Sequence, residues 1–589
     1  MKFARRDLLR FAGGSAAALP LTPLPWKLLR DSAVVSQNWP GVPEPSHGEI
    51  RTRYTTCTLC PEGCGVRARC VGEQPVGLAG VPGHPSGRGA LCPVGLTGHH
   101  LPFHPQRARE FLDHGKPTSR DEAVAAVSSA LKNCERGQCV AILDSRPGRT
   151  ASSVYQKFID RMPEGLLCAP PGTRPYGQFG IDLENTRTIL SFGVPVLDGW
   201  LSPGRVLPNR GRFQLIQVEP VHSHTAALAD LWVPVRPGGE TAFAESLLRA
   251  LHGESPSDEH IAQVLRILAN AKPAIAIGRG PMRRLNSALG SIGRSGGFMA
   301  RRETAPAARD FSTVPDHSIR VLLIDEGYSN PLAWDFIRTK LADKATVVAM
   351  TPWLDGYGRL ADYVVPSPVY LESLDEAPAP TAAIIASFSL SPALIQTPAQ
   401  VVTAPDFVLQ LAGDATTYLD ALKARVAAIH SGGRGTLLTY ANQATFRMAD
   451  VSSAEDLWKA LLDGSVWLDD RLPQTKATQA ELSETPLPPS SDAALTVVAA
   501  VTPPLHGSPL MTKLYQESQL RLPADVVKLN PRTARDRNLE DGDAAVVETR
   551  FGSRSVKVLL DPAATPDLIE ATLPHQSPGA CAPAAIRRA

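Results

Sequence analysis

The stretch TTCTLCPEGCGVRARC, residues 55–70, and the later GRGALCPVG, residues 87–95, carry the four cysteines on which the reading of the whole chain turns. Cys57, Cys60, Cys64 and Cys92 follow the spacing C-x2-C-x3-C-x27-C. Three thiolates within eight residues can reach three irons of a cube from one loop, and a fourth closes it from a later turn. That is the donor set of a [4Fe–4S] cluster. Zinc also accepts four thiolates, but its usual pattern is two C-x2-C pairs, and the x3 step is foreign to it. A disulfide framework suits small secreted domains rather than a chain this long. Gly63 and Gly65 flank Cys64 and let the backbone bend close to the sulfides. Cys70 lies outside the pattern and reads as a buried free thiol.

Working outward, the 589 residues exceed what one core can hold and predict several domains. A hydrophobic content of 43%, a charged content of 20% and a net charge of +2 describe an ordinary globular protein. They give no reason to invoke nucleic acid or an anionic membrane as partner. At the amino terminus Arg5 and Arg6 precede a modestly apolar stretch, the address of the twin-arginine export route. That route predicts a periplasmic location. No small-x-small cleavage site precedes Asp31, which leaves open an uncleaved anchor or attachment to a membrane through partners.

Residues 47–105, rich in Cys, Gly, Pro and His, read as a loop-dominated module that needs an inorganic core. From Ser119 the texture changes: SRDEAVAAVSSALKN opens with Ser119 and Glu122 in capping-box spacing. Strand and helix signals then alternate. CVAIL (139–143), RTILSFG (187–193), FQLIQVEP (213–220), PAIAIGRG (273–280), RVLLIDEG (320–327) and TVVAMTP (346–352) are apolar strand runs. TASSVYQKFIDRM, ETAFAESLLRALHG (closed by Gly253) and PLAWDFIRTKLAD are helical. Such alternation predicts parallel sheets covered on both faces, one on either side of about residue 255. TAAIIASFSLSPALI is broken by serines and Pro392, and is expected to pack inside rather than span a membrane. PDFVLQLAGDATTYLDALKARVAAIHS reads as helical. The tail from DVVKLNP onward shows period-two alternation with a turn at Phe551-Gly552-Ser553, a hairpin of a small β-barrel.

The ordered set of motifs resembles the molybdopterin oxidoreductase family, which includes dimethyl sulfoxide reductase. FHPQRARE with SRDEAVAAV is similar to the segment after that family's cluster. GIDLENTRTILSFG resembles its first cofactor-side strand, and QVEPVHSHTAALADLWVPVRPGGETAFAESLLRAL its second. GRLADYVVPSPVYLES resembles a third block, and VKLNPRTARDRNLEDGDAAVVETRFG the C-terminal barrel. The resemblance implies a multidomain α/β fold. Its parts are a signal and linker (1–46), a [4Fe–4S] module (47–105), two parallel-sheet α/β domains (106–255 and 256–500) and a C-terminal β-barrel (501–589).

In that family, loops after the strands hold pterin-guanine dinucleotides, and acidic residues on two loops receive the guanine's N–H donors. Glu219 and Glu240 occupy the matching places here, each longer than the usual Asp, and Gly193 opens the loop after the first strand. That loop reads Gly193-Val194-Pro195-Val196 instead of Gly-x-Asn-Pro. The segment expected to supply a molybdenum ligand is only EGLLCAPPGTRPYGQF, where Cys168 and Tyr176 are the candidate types. Cys168 reads as a small buried residue ending a strand. The family's Lys two residues past the fourth cysteine is Val94, which offers neither charge nor a hydrogen bond. Arg88 is the nearest candidate replacement.

These departures are similar to the molybdopterin-like subunits of alternative complex III and of the menaquinone reductase complex. FGIDLENTRTILSFGVPVLDGWLSPGRV and GSPLMTKLYQES carry that likeness. It implies an exported electron-transfer subunit of a quinone-linked respiratory complex, with one [4Fe–4S] cluster and no molybdenum. Its implied partners are cytochrome c, a ferredoxin-like iron–sulfur subunit and a quinone-interacting membrane subunit. The competing expectation is a complete molybdenum enzyme with molybdopterin guanine dinucleotide, acting on a small inorganic or sulfur substrate.

Overall fold

The computed structural model describes residues 47–60, 62–134, 138–170, 179–181, 183–197, 203–278, 282–292, 298–300, 308–326, 332, 334–378, 385–469, 495–499, 526–549, 552–571 and 581–589. Arg5, Arg6, Tyr176 and the stretch 507–518 lie outside them.

The amino-terminal module is built on a three-stranded antiparallel sheet, β1 (Ile50–Thr56), β2 (Gly65–Val71) and β3 (Gln74–Gly80). It is therefore less loop-dominated than its composition suggests. Val66, Ala68 and Cys70 turn inward along β2 while Arg67 and Arg69 face water, the alternation of a half-buried strand.

The largest sheet has eight strands, in the order 309–310, 165–169, 139–144, 319–325, 341–351, 363–366, 111–113 and 116–118. The first six run parallel and the last two are antiparallel additions. Its central strands are continuous apolar runs because both faces are covered. Val140, Ile142, Val321 and Leu323 enter one core with Tyr155, Phe158 and Phe407. Cys139, Ala141, Leu143, Leu322 and Ile324 enter another with Phe311, Ile337 and Tyr357.

A second parallel sheet, ordered 231–234, 214–219, 188–192 and 274–278, comes from residues lying between two strands of the first. Residue 255 is accordingly no boundary between sheets. Strand Ala274–Gly278 pairs with Thr188–Phe192, and Ile319–Asp325 pairs with Cys139–Asp144, so each sheet draws on both sides of it. A parallel strand needs a crossover rather than a hairpin, and here one crossover has grown into a whole inserted domain.

Two further layers are present among the described residues. Strands 375–378, 387–391, 465–468, 436–439 and 445–447 form an antiparallel sheet. Phe388, Phe407, Leu422 and Trp467 join this layer to the core of the large sheet. The carboxyl-terminal strands close into a six-stranded barrel, with Cys581–Arg588 bridging Leu495–Ala499 and Ala544–Thr549. Among the described residues no helix is long and apolar enough to cross a membrane.

Candidate functional site

The three cysteines after β1 sit on a loop that closes on itself. The Cys57 N–H donates to the Cys64 carbonyl at 2.8 Å, so the ends of the loop are clamped at the base of β1 and β2. Cys92 arrives from elsewhere as the N-cap of the short helix Pro93–Thr97, its sulfur accepting from the Gly95 N–H at 3.4 Å. All four are free thiols, Cys57 and Cys64 buried and Cys60 and Cys92 half-buried. Burial pushes the Cys57 thiol up to about 12, and the charge of Cys92 adds to the rise. Cys60 is also raised, by burial first and then by Cys57, Cys64, Glu62 and Cys92. Burial and mutual repulsion both oppose ionising these thiols, so as thiolates they need cations among them. The donor chemistry therefore fits an iron–sulfur cluster, whose binding would release the thiol protons.

The surroundings of the thiols are apolar. Val94 is buried in one cluster with Cys57, Cys64, Leu59 and Tyr370. The Tyr370 hydroxyl is turned toward the Cys57 thiol. Arg88 does not replace the missing lysine: its guanidinium bonds Glu184 at 2.5 Å and its side chain is 41% exposed. The loop carrying Arg88 is pressed onto the inserted domain, for a Cβ on Gly204 would stand 1.8 Å from the Gly87 carbonyl oxygen.

At the inserted sheet the structure brings Gly193, Glu219 and Glu240 together. All three lie at the carboxyl ends of its parallel strands, where the order reverses about strand Thr188–Phe192, the place where open α/β sheets bind ligands. Gly193, at φ 71°, donates its N–H to the Val218 carbonyl at 3.0 Å. A Cβ there would lie 3.6 Å from Glu240 Oε1. Glu240 opens the helix Gly239–Leu251 and is buried; Glu219 is buried and accepts from the Ser223 hydroxyl. The barrel leans on this edge, with the Thr565 hydroxyl donating to the Pro220 carbonyl at 2.6 Å. Two buried carboxylates under a barrel fit the N–H donors of a guanine. Val194 and Val196, however, are buried in the core rather than offered to a ligand, and Ser191 and Gln217 both donate to the Val194 carbonyl at 3.1 Å.

The equivalent crevice of the large sheet lies between strands 139–144 and 319–325, and it is filled. Both strands end in Asp, side by side in register. Arg149 bridges them, 3.3 Å from Asp144 and 2.5 Å from Asp325. Tyr155 donates to Asp325 at 2.8 Å, Ser152 donates to Asp144 at 2.5 Å, and Arg146 holds Asp375 at 2.8 Å. Among the described residues, what remains is a cavity of about 50 Å³. A cofactor pocket takes roughly 300 Å³ or more, so this crevice does not fit a dinucleotide. None of these residues stands out in the sequence, although CVAILD and RVLLID, two buried runs each closed by Asp, carry the signal. Cys168 is fully buried with Cys139 and Phe311 and pushed up to about 12 by burial, in keeping with a packing residue near a strand end.

Comparison with known proteins agrees with this architecture. The molybdopterin oxidoreductase Fe4S4 domain matches residues 50–101, and the molydopterin dinucleotide binding domain matches residues 506–585. The chain thus carries, at its two ends, the cluster and barrel domains of the molybdopterin oxidoreductases. Over 95% of its length it is 27% identical to the menaquinone reductase, molybdopterin-binding-like subunit of Nitratidesulfovibrio vulgaris, covering 91% of that protein. It is 29% identical to the assimilatory nitrate reductase of Haloferax mediterranei over 35% of this chain and 32% of that one. Acetylene hydratase from Pelobacter acetylenicus shares the fold, with a TM-score of 0.61 at 12% identity over 91% of this chain and 100% of that one.

Proposed function

We propose that this protein is an exported electron-transfer subunit of a quinone-linked respiratory complex, carrying one [4Fe–4S] cluster on Cys57, Cys60, Cys64 and Cys92 and no molybdenum. The observation that carries the reading is the pairing of an intact thiol set with a large-sheet crevice closed by the chain's own ions. When bound, the cluster supplies one-electron chemistry. Leu59, Val66, Val94 and Tyr370 keep water from it, and such burial is one of the levers that set a cluster's potential. Val94, packed in the apolar cluster with Cys57 and Cys64, offers no positive charge beside them, and electrons are expected to leave toward a partner. Cytochrome c, a ferredoxin-like iron–sulfur subunit and a quinone-interacting membrane subunit are the proposed partners. The likeness to the menaquinone reductase subunit supports the quinone link.

Metal analysis of the purified protein tests this directly. About four irons per chain with no stoichiometric molybdenum or tungsten is expected. One molybdenum per chain would make it a complete enzyme, with a dinucleotide on Glu219 and Glu240. Export has its own check: with Arg5 and Arg6 both changed to Lys, the folded protein should stay in the cytoplasm. Its unchanged recovery from the periplasm would rule out the twin-arginine address.

A further inference from the structure

The cavity of about 50 Å³ lies between the cluster loop and the carboxyl ends of the large sheet. Thr58, Leu59 and Tyr370 line it on the cluster side, and Arg146, Arg149 and Glu326 on the sheet side. Glu326, the residue after strand Ile319–Asp325, is 2% exposed. Its Oε2 has no hydrogen-bond partner among the described residues, and neither has Arg146 Nε. Buried polar atoms are rarely left so, and a cavity with polar walls and room for one or two waters is where ordered water is found. Electron transfer through the four thiolates uses neither Glu326 nor this space.

We propose that Glu326 is a proton-accepting group for the cluster: when the cluster gains one electron, the Glu326 carboxylate takes one proton from solvent through water in this cavity, and returns it when the electron leaves. The electron comes from a one-electron donor, and the only bond made or broken is the carboxyl O–H. The proposal rests on the four cysteines being the cluster ligands. An added electron makes the cluster more negative, and in a dry interior that charge reaches across a cavity this small and tightens the hold of a carboxylate on its proton.

The groups facing Glu326 are set for this. On its own strand Asp325 is already committed to Arg149 and Tyr155. From the next strand and its loop come the Thr351 hydroxyl, Asp355 and Tyr357. Across the cavity stand Arg146, paired with Asp375, and Arg149, together with Tyr370 and Tyr418. Both cations are spoken for by carboxylates, so neither holds Glu326 ionised. Burial keeps its carboxyl well above the usual carboxylate range, with Thr351 opposing and Asp355 and Asp325 adding to the rise.

The experiment is a potentiometric titration of the cluster in the full chain, followed by electron paramagnetic resonance, at pH values from about 5 to 10. The potential should be level in acid and then fall with rising pH, by at most about 59 mV per pH unit for one proton per electron. It should level off again at high pH. Glu326→Gln, an isosteric and permanently uncharged stand-in for the acid form, should keep the acid-side potential and lose the slope. Redox-difference infrared spectra of the unaltered protein should gain a protonated-carboxyl band on reduction within that window, whether or not the variant folds. A potential independent of pH, or a slope that survives in a folded Glu326→Gln protein, overturns the proposal. Absence of any cluster signal overturns the ligand assignment instead, so the two failures are told apart.

Discussion

Cys64 and Cys70 sit at either end of the same strand, both buried and both free, yet the geometry gives them different roles. Cys64 shares its electrostatic surroundings with Cys57 and Cys92. Cys70 answers instead to Arg53 and Glu73 at the far end of the strand. Alanine at 57, 60, 64 or 92 should therefore remove most iron and unsettle the amino-terminal module, because a small module held by a metal centre has little core of its own. Cys70→Ala should keep its iron. Equal iron loss at Cys70 would falsify the ligand assignment. His84 makes a second, pH-dependent contribution. Its Nδ1 faces the N–H groups of Ser86 and Gly87 at 3.3 and 3.2 Å, and Nε2 meets the Tyr440 hydroxyl at 3.1 Å. That pattern assigns the neutral tautomer with its proton on Nε2. Burial lowers this histidine from 6.5 to about 3. The unfolded chain binds the proton first, so stability should fall as pH drops below 6.5 and go on falling toward 3. The loss is at most about 1.4 kcal/mol per pH unit. Urea midpoints measured at about pH 6.5 and 4.5 should separate more for the unaltered protein than for His84→Gln, which cannot titrate. Equal separations would show that another group sets the acid limit.

Elements are legible wherever local chemistry decides them. The capping box at Ser119 and Glu122 is present, opening the helix Arg120–Lys132. The apolar runs are strands within a residue or two of their expected ends, except that the run at 346–352 begins five residues earlier at Leu341, because a strand buried on both faces needs nothing but apolar side chains. PDFVLQLAGDATTYLDALKARVAAIHS reads as one helical stretch and is two helices, Ala404–Leu411 and Tyr418–Ser431. Gly413, at φ 67°, ends the first, and a new capping box on Thr417 and Asp420 starts the second. The expected helix PLAWDFIRTKLAD stops at Lys340, and Leu341 already belongs to a strand. Its pairing with Ile319 on the neighbouring strand outweighs a local preference that favours helix. The antiparallel sheet of residues 375–468 is not visible in the sequence, since its strands are short and the strand 465–468 that joins its two local pairs finds both partners far back along the chain. The candidate site divides along the same line. Three cluster ligands fall within one loop and can be read from spacing. Arg149 and Asp325 are 176 residues apart and meet only in the folded chain.

At the scale of the whole molecule that meeting has a structural consequence. Asp144 lies before the inserted domain and Asp325 after it, and the two strands they end are neighbours in the large sheet. Arg149, buried between them, is the ionic tie across the insertion. Burial, partly offset by Arg149 and reinforced by Asp325, already holds Asp144 above the usual carboxylate range. Replacing Arg149 with Met keeps much of the side-chain volume but leaves two carboxylates facing each other without a counter-charge. Breaking a buried pair in this way costs on the order of 3–5 kcal/mol. Several domains are present, so the loss should show as an earlier first step in denaturant unfolding, not as a shift of one common transition. Adding Asp144→Asn and Asp325→Asn to Arg149→Met should restore part of the loss, since no charge is then left buried alone. The same single variant should also make the cluster easier to strip with chelator, because Arg149 lines the cavity that Thr58 and Leu59 close from the cluster side. If Arg149→Met unfolds at the same denaturant concentration as the unaltered protein and keeps its iron equally well, the tie holds neither sheet nor cluster, and the closed crevice has to be explained by apolar packing alone.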